Sequence, residues 1–181
     1  MQCRAVAAVV LGDANAVEPF VATAKTRFTS LKDDLVDVVA MTTTHNMGRD
    51  VWEDNALVGA AYSVPYVYTG MAFAGKPTFV ECAEKLDFFT GDCRDLRICV
   101  RQSTSYDGRI RDIFPGPELV LGDSHIENFL NLEQDICNVV TDGSAALPES
   151  IARSFGYSGE YTVGEKRFSK VSSTGGRTHS H

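Results

Sequence analysis

RICVRQSTSYDGRIRDIFPGPELVLGDSHIENFLNLEQDICNVVTDGSAALPESIARSF, residues 97–155, alternates short apolar runs with longer amphipathic ones. RICVRQ (97–102), ELVLG (118–122) and ICNVVT (136–141) read as strands, being apolar, brief and bounded by turn residues. Helices are expected between and after them. One follows the STSYDG loop to about residue 113. A second, SHIENFLNLEQ, opens on a capping box of Ser124 and Glu127. The third, LPESIARSF, has Pro148 in its first turn and Gly156 beyond its end. Strands that alternate with helices predict a largely parallel sheet, and ligands of such sheets sit beyond the carboxyl ends of the strands.

The same pattern extends upstream. TFVECAEKLDFF (78–89) reads as a helix with Thr78 and Glu81 as a capping box and Gly91 as its stop, and GKP at 75–77 punctuates the chain before it. AAYSVPYVYTGMAFAG (60–75) is extended and aromatic, and VDVVAM (36–41) is a buried strand. TAKTRFTSLKDD is a helix capped by Thr23 with Phe28, Leu31 and Leu35 on one face, AVEPFVA (16–22) is an edge strand, and residues 2–11 are a helix ended by Gly12. EYTVGE (160–165) is extended, and a tail rich in Ser, Gly and His follows. The chain thus reads as two small α/β units.

Composition limits the function. The chain has 181 residues, 44% hydrophobic and 23% charged, with a net charge of −7, so it can bury a core and is not disordered. An acidic chain without a Lys/Arg block has no electrostatic attraction for nucleic acid or an anionic membrane. No apolar run reaches the ~20 residues that span a bilayer, and Met1 leads straight into QCRAVAAVVLG without the basic n-region of a signal peptide. The five cysteines, Cys3, Cys82, Cys93, Cys99 and Cys137, form no CxxC, and the four histidines are scattered, so no metal site is expected. The odd cysteine count suits either two disulfides and an orphan or five thiols in a reducing compartment. No GxSxG, HExxH or Walker loop occurs, and no catalytic residue or cofactor is expected.

Three polar loops follow predicted strands: Thr42-Thr43-Thr44 with Arg49, Ser103-Thr104-Ser105, and Asp142-Gly143-Ser144. Hydroxyls with a guanidinium hold a carboxylate, small hydroxyl residues at a helix start offer O–H and N–H groups to an anion, and a carboxylate receives an ammonium. Together they complement a zwitterion. Each has a plainer reading as a cap, a turn or a solvated charge.

CRAVAAVVLGDANAVEPFVATAKTRFTSLKDDLVDVVAMTTTHNMGRD, YSVPYVYTGMAFAG, ICVRQSTS and ICNVVTDGSAAL resemble, in order over residues 3–170, the family-3 extracellular solute-binding proteins of bacterial ABC transporters. The branch they resemble is that of the general L-amino-acid-binding periplasmic proteins. The resemblance implies a two-lobe, type II periplasmic-binding-protein-like α/β clamshell. Lobe one falls at 1–75, lobe two at 76–163, and a return segment with a disordered tail at 164–181. It implies that a monomer captures a polar amino acid between the lobes and delivers it to a transporter permease, in the periplasm or outside the cell. The readings set beside it are the ligand-binding module of a receptor, a non-functional truncated paralogue and, least favoured, a dehydratase-like enzyme on the same scaffold.

By position, Arg49 matches the arginine that pairs with the ligand's α-carboxylate, supported by Thr44 and by Thr42, which stands where the branch carries Asn. Thr104 and Ser105 match second-lobe groups that reach the same carboxylate, and Ser103 replaces a glycine. Asp142 matches the acidic residue that receives the α-ammonium, in a segment one residue shorter than the family pattern. His45 stands in place of a Trp, so the side-chain pocket differs. The resemblance also implies that the chain is truncated at both ends and that lobe one is incomplete, lacking its first strand. By the resemblance Cys99 pairs with Cys137 and Cys3 has lost a partner on that strand, while Cys82 and Cys93, which flank one helix, are placed to form a second bridge.

Overall fold

The computed structural model describes residues 2–41, 43–44, 60–64, 67–114, 116–156, 159–168 and 170–173. The chain divides into two compact units, Met1–Tyr66 with Ser173–His181, and Val67–Ser172.

In the first unit α1 spans Gln2–Val10 and α2 spans Arg27–Lys32. The expected stop holds at Gly12, whose φ of 74° a residue with a Cβ adopts only at a cost. α1 buries only Ala7, and Val9 and Val10 face solvent. α2 begins later than its sequence suggests, yet Thr23 does organise the turn before it. The Thr26 amide donates to the Thr23 hydroxyl at 3.2 Å, and the Arg27 amide donates to the Thr23 carbonyl at 3.1 Å. The strands expected at 16–22 and 36–41 do not form. A strand exists by pairing, and among the described residues of this unit no other strand is present to pair with. Leu35 and Val38 are accordingly exposed rather than core.

The second unit carries β1 (Val67–Gly75), α3 (Pro77–Lys85), a 3-10 turn (Gly91–Asp95), β2 (Arg97–Arg101) and α4 (Ser105–Ile113). It continues with β3 (Glu118–Gly122), α5 (His125–Glu133), β4 (Val139–Gly143), α6 (Leu147–Phe155), β5 (Thr162–Val163) and β6 (Lys170–Ser173). The strands form one sheet in the order β3-β2-β4-β1-β5, with β6 also pairing β1. β2, β3 and β4 are parallel, as expected, but β1 runs antiparallel to β4 and β5. The sheet is therefore mixed. The crossovers through α4 and α5 give β2, β3 and β4 a common direction, while β1, which lies beyond β4 in the sheet and is not its neighbour in the chain, runs the opposite way. Because β1 is hydrogen-bonded to β4 from Met71 to Gly75, the unit begins at Val67, ahead of the GKP punctuation at 75–77.

Period-2 alternation builds two cores, one on each face of the sheet. Met71 and Phe73 of β1, Ile98 and Val100 of β2 and Val139 of β4 pack with Val80, Ile110 and Phe114 from α3, α4 and the residue after α4. The intervening Ala72, Ala74, Cys99 and Val140 pack on the other face with Phe129, Leu132, Leu147 and Ile151 from α5 and α6. Both expected disulfides are formed: Cys82–Cys93 ties α3 to the 3-10 turn, and Cys99–Cys137 ties β2 to the approach to β4. Cys3 is free. Helix ends follow the sequence unevenly. Ser124 accepts from the Glu127 amide at 3.1 Å, while Thr78 caps nothing, because α3 starts one residue earlier at Pro77 and Glu81 pairs with Lys85.

Candidate functional site

The parallel strands fix where a ligand can sit. β2 connects through α4 to β3 on one side, and β4 connects through α6 toward β5 on the other. Neighbouring parallel strands whose connections leave in opposite directions open a crevice at their carboxyl ends. β2 and β4 are such a pair, in register at Ile98↔Val139 and Cys99↔Val140. Continued along the strands, that register sets Arg101 beside Asp142. The loop 102–104 and residues 142–144 thus meet at one edge of the sheet.

At the end of β2, Ser103 has a φ of 59°, the left-handed region, which accounts for a residue type such as glycine being favoured there. Ser103 is exposed, and Thr104 and Ser105 are half-buried. Thr104 is the N-cap of α4: its hydroxyl donates to the Arg101 carbonyl at 2.7 Å and accepts from the Asp107 amide at 3.4 Å. Its hydroxyl therefore serves the helix, and the group it leaves turned outward is the start of the helix itself, where backbone amides favour an anion.

At the end of β4, Asp142 is mostly buried. One carboxylate oxygen accepts from the Gly143 amide at 2.7 Å, and the other lies 2.9 Å from His125 Nδ1. Burial works to raise its pKa, but the His125 hydrogen bond, the Gly143 amide and the Arg101 charge outweigh it and hold the carboxyl below its ordinary value. Asp142 is an ionised carboxylate at neutral pH. Arg101 is half-buried, and among the described residues its Nε has no hydrogen-bond partner. The pKa of the buried Tyr106 is pushed up to about 12, first by burial and then by the charge of Asp142. Gly143 keeps the strand end close-packed, since a Cβ there would stand 3.0 Å from the Tyr106 hydroxyl and 3.2 Å from Thr69 Oγ1. Thr69 in turn holds the Ser144 loop, with its Oγ1 3.2 Å from Ser144 Oγ and accepting from the Ala145 amide at 3.2 Å.

Of the residues expected from sequence, Ser103, Thr104, Ser105 and Asp142 lie at this edge. Thr44 lies in the first unit and is half-buried, and Thr42, His45 and Arg49 lie outside the described residues. Sequence reasoning missed Arg101, Tyr106, His125 and Ser150. His125 is the first residue of α5, whose start after β3 puts it at the carboxyl edge, a signal present in the Ser124 cap. That it meets Asp142 rather than solvent depends on α5 crossing β2 to reach β4, which no local pattern states.

No family model matches the chain. Curated proteins similar to it include these two. The glutamate/glutamine/aspartate/asparagine-binding protein BztA of Rhodobacter capsulatus is 30% identical over 155 residues, 83% of this chain and 42% of the relative. YhdW of Escherichia coli K12, assigned as an amino-acid ABC transporter-binding protein, is 29% identical over 150 residues, 80% of this chain and 40% of the relative. The chain therefore spans about two fifths of the length of the curated relatives it matches. Among solved structures, an ABC transporter periplasmic binding protein from Brucella ovis with glutathione bound superposes with a TM-score of 0.71 at 22% identity. The superposition covers 95% of this chain and 52% of that one. The fold of the chain is the α/β fold of periplasmic binding proteins.

Proposed function

We propose that the chain is an amino-acid-binding protein of the kind that serves ABC transporters, capturing a polar amino acid for transport without chemical conversion of it. The observation that carries this reading is Asp142, a mostly buried carboxylate held ionised at the crevice between β2 and β4, beside the open start of α4. A carboxylate kept charged although burial opposes it is suited to receiving an ammonium group, and a helix start to receiving a carboxylate. Asp142 takes the α-ammonium, Ser103, Thr104 and Ser105 present the helix start to the α-carboxylate, and Arg49 with Thr42 and Thr44 complete the carboxylate's partners. The resemblance of the chain to amino-acid-binding proteins supports these roles. The same kinship supports a permease as partner and a periplasmic location.

Calorimetry with L-glutamate, L-glutamine, L-aspartate, L-asparagine, L-arginine and L-cysteine tests the assignment. At least one should bind, and Asp142→Asn and Arg49→Ala should each weaken it by about tenfold or more, the usual effect of leaving one partner of a charged hydrogen bond unpaired. Equal binding by either variant, or none by the unaltered chain, would refute the assignment.

A further inference from the structure

Arg101 carries a charge for which the described residues supply no partner. It is the last residue of β2, half-buried and with its Nε enclosed, and its guanidinium forms no hydrogen bond and no ion pair among them. Its neighbours in the sheet explain why. On one side Arg101 is in register with Gly122, which has no side chain, and Asn128 Oδ1, which lies over Gly122, makes no bond to it. On the other side stands Asp142, whose two carboxylate oxygens are taken by the Gly143 amide and by His125. The carboxylates that follow β2 and β3 are engaged elsewhere: Asp107 with Arg111 at 2.8 Å, Asp123 with Gln102, and Glu127 with the Asp123 amide at 2.7 Å. A guanidinium stays charged, and its N–H groups are costly to enclose without an acceptor. The acceptor that suits this one is a group on the ligand.

We propose that Arg101 receives the side-chain carboxylate of the ligand, so that the crevice selects acidic amino acids over their amides. The inference rests on the reading of Asp142 as the ammonium receptor and names the class of ligand which that reading leaves open. The two faces of the sheet orient the ligand. Alternation along β2 and β4 sets Arg101 with Cys99, and Asp142 with Val140, on the face covered by α5 and α6, whereas α4 packs on the other face with Ile98 and Val100. An amino acid with its ammonium at Asp142 and its α-carboxylate at the start of α4 therefore has its side chain left for the face on which Arg101 stands. Charge works in the same direction. Arg101 is close enough to help hold the Asp142 carboxyl low, and so close enough to repel an ammonium group placed on Asp142. A carboxylate on Arg101 offsets that repulsion. It can also meet the guanidinium through two parallel hydrogen bonds, where a carboxamide has a single oxygen to accept them.

The test is calorimetry on the 181-residue chain with L-glutamate, L-aspartate, L-glutamine and L-asparagine. L-Glutamate or L-aspartate should bind about tenfold or more tightly than its own amide, the usual margin of a charged hydrogen-bonded pair. Arg101→Gln should remove that preference by weakening the acid while leaving the amides bound as tightly or more so. Arg101→Lys, which keeps the charge but not the paired donors, should retain part of it. Circular dichroism checks that each variant is folded. An amide bound as tightly as its acid by the unaltered chain would overturn the proposal, and that result needs no variant. Equal weakening of acids and amides in a folded Arg101→Gln would also overturn it, since Arg101 would then serve the α-carboxylate or only support Asp142. Asp142→Asn separates the two readings. If it weakens every ligand while Arg101→Gln leaves the preference unchanged, Asp142 stands as receptor and Arg101 falls alone. If it weakens none, or if the unaltered chain binds none of them, both fall.

Discussion

Removing the Cys99–Cys137 bridge should cost the second unit more than any other covalent change, and the topology says by how much. The bridge closes 38 residues, from β2 through α4, β3 and α5 to the approach to β4. In the chain-entropy description a loop of that length restricts the unfolded state by about 3.9 kcal/mol at 25 °C. The Cys82–Cys93 bridge closes 11 residues, for which the same expression yields about 2.8 kcal/mol. The long bridge is also set deeper, with both cysteines at 0% exposure in the core beneath α5 and α6, so its loss removes packing as well. Against a domain stability of about 5–15 kcal/mol, either loss is a large fraction. Urea unfolding followed by far-ultraviolet circular dichroism should rank the pairwise alanine variants: unaltered chain, then Cys82→Ala with Cys93→Ala, then Cys99→Ala with Cys137→Ala. The last two should differ by about 1 kcal/mol or more. A reversed order, or a loss below about 1 kcal/mol for the long bridge, would refute the argument that its span governs its contribution.

Two further outcomes follow from the same unit. Gly75→Ala should destabilise by roughly 1–3 kcal/mol or worse in thermal or urea unfolding, because the added Cβ would lie 2.4 Å from the Asn138 carbonyl oxygen on a backbone with φ of 157°. Tyr106, whose pKa in the folded chain is about 12 against an unfolded value near 10, keeps its proton longer folded than unfolded. Between those values the unfolded state has the fewer protons, so stability should fall by up to about 1.4 kcal/mol per pH unit as pH rises. Tyr106→Phe should flatten that alkaline limb, and an unchanged slope would mean that Tyr106 does not titrate there.

Elements with strong local signals were legible. β3 and α6 fall on the predicted residues, the Ser124 cap forms as its spacing suggests, Cys99–Cys137 matches the pairing that the resemblance implied, and Cys82–Cys93 forms as the placement of the two cysteines suggests. Where a segment depends on a neighbour, the reading failed. The apolar residues of 36–41 have the composition of a buried strand, but strand formation is a property of a pair, and the described residues of that unit offer no partner. The mixed direction of the sheet was equally illegible, since an extended aromatic run such as 60–75 looks the same whichever way its neighbour runs. Asp142 and residues 103–105 lie at one edge of the sheet as expected, because strand-to-helix loops are visible in sequence.

What the sequence by itself determined is the set of helices and parallel strands in the second half, their order, and therefore the edge at which Ser103, Thr104, Ser105 and Asp142 emerge. Periodicity and caps encode these, because both depend on residues within a turn or two of one another. Only the tertiary structure decided who the neighbours are at that edge. Arg101 comes beside Asp142 through the register of β2 with β4, and His125 reaches it because α5 crosses β2. Residues 17 positions apart become hydrogen-bonded in this way, and the charge state of the carboxylate follows from them. Electrostatics acts through space, so it becomes readable only once the packing has set the distances.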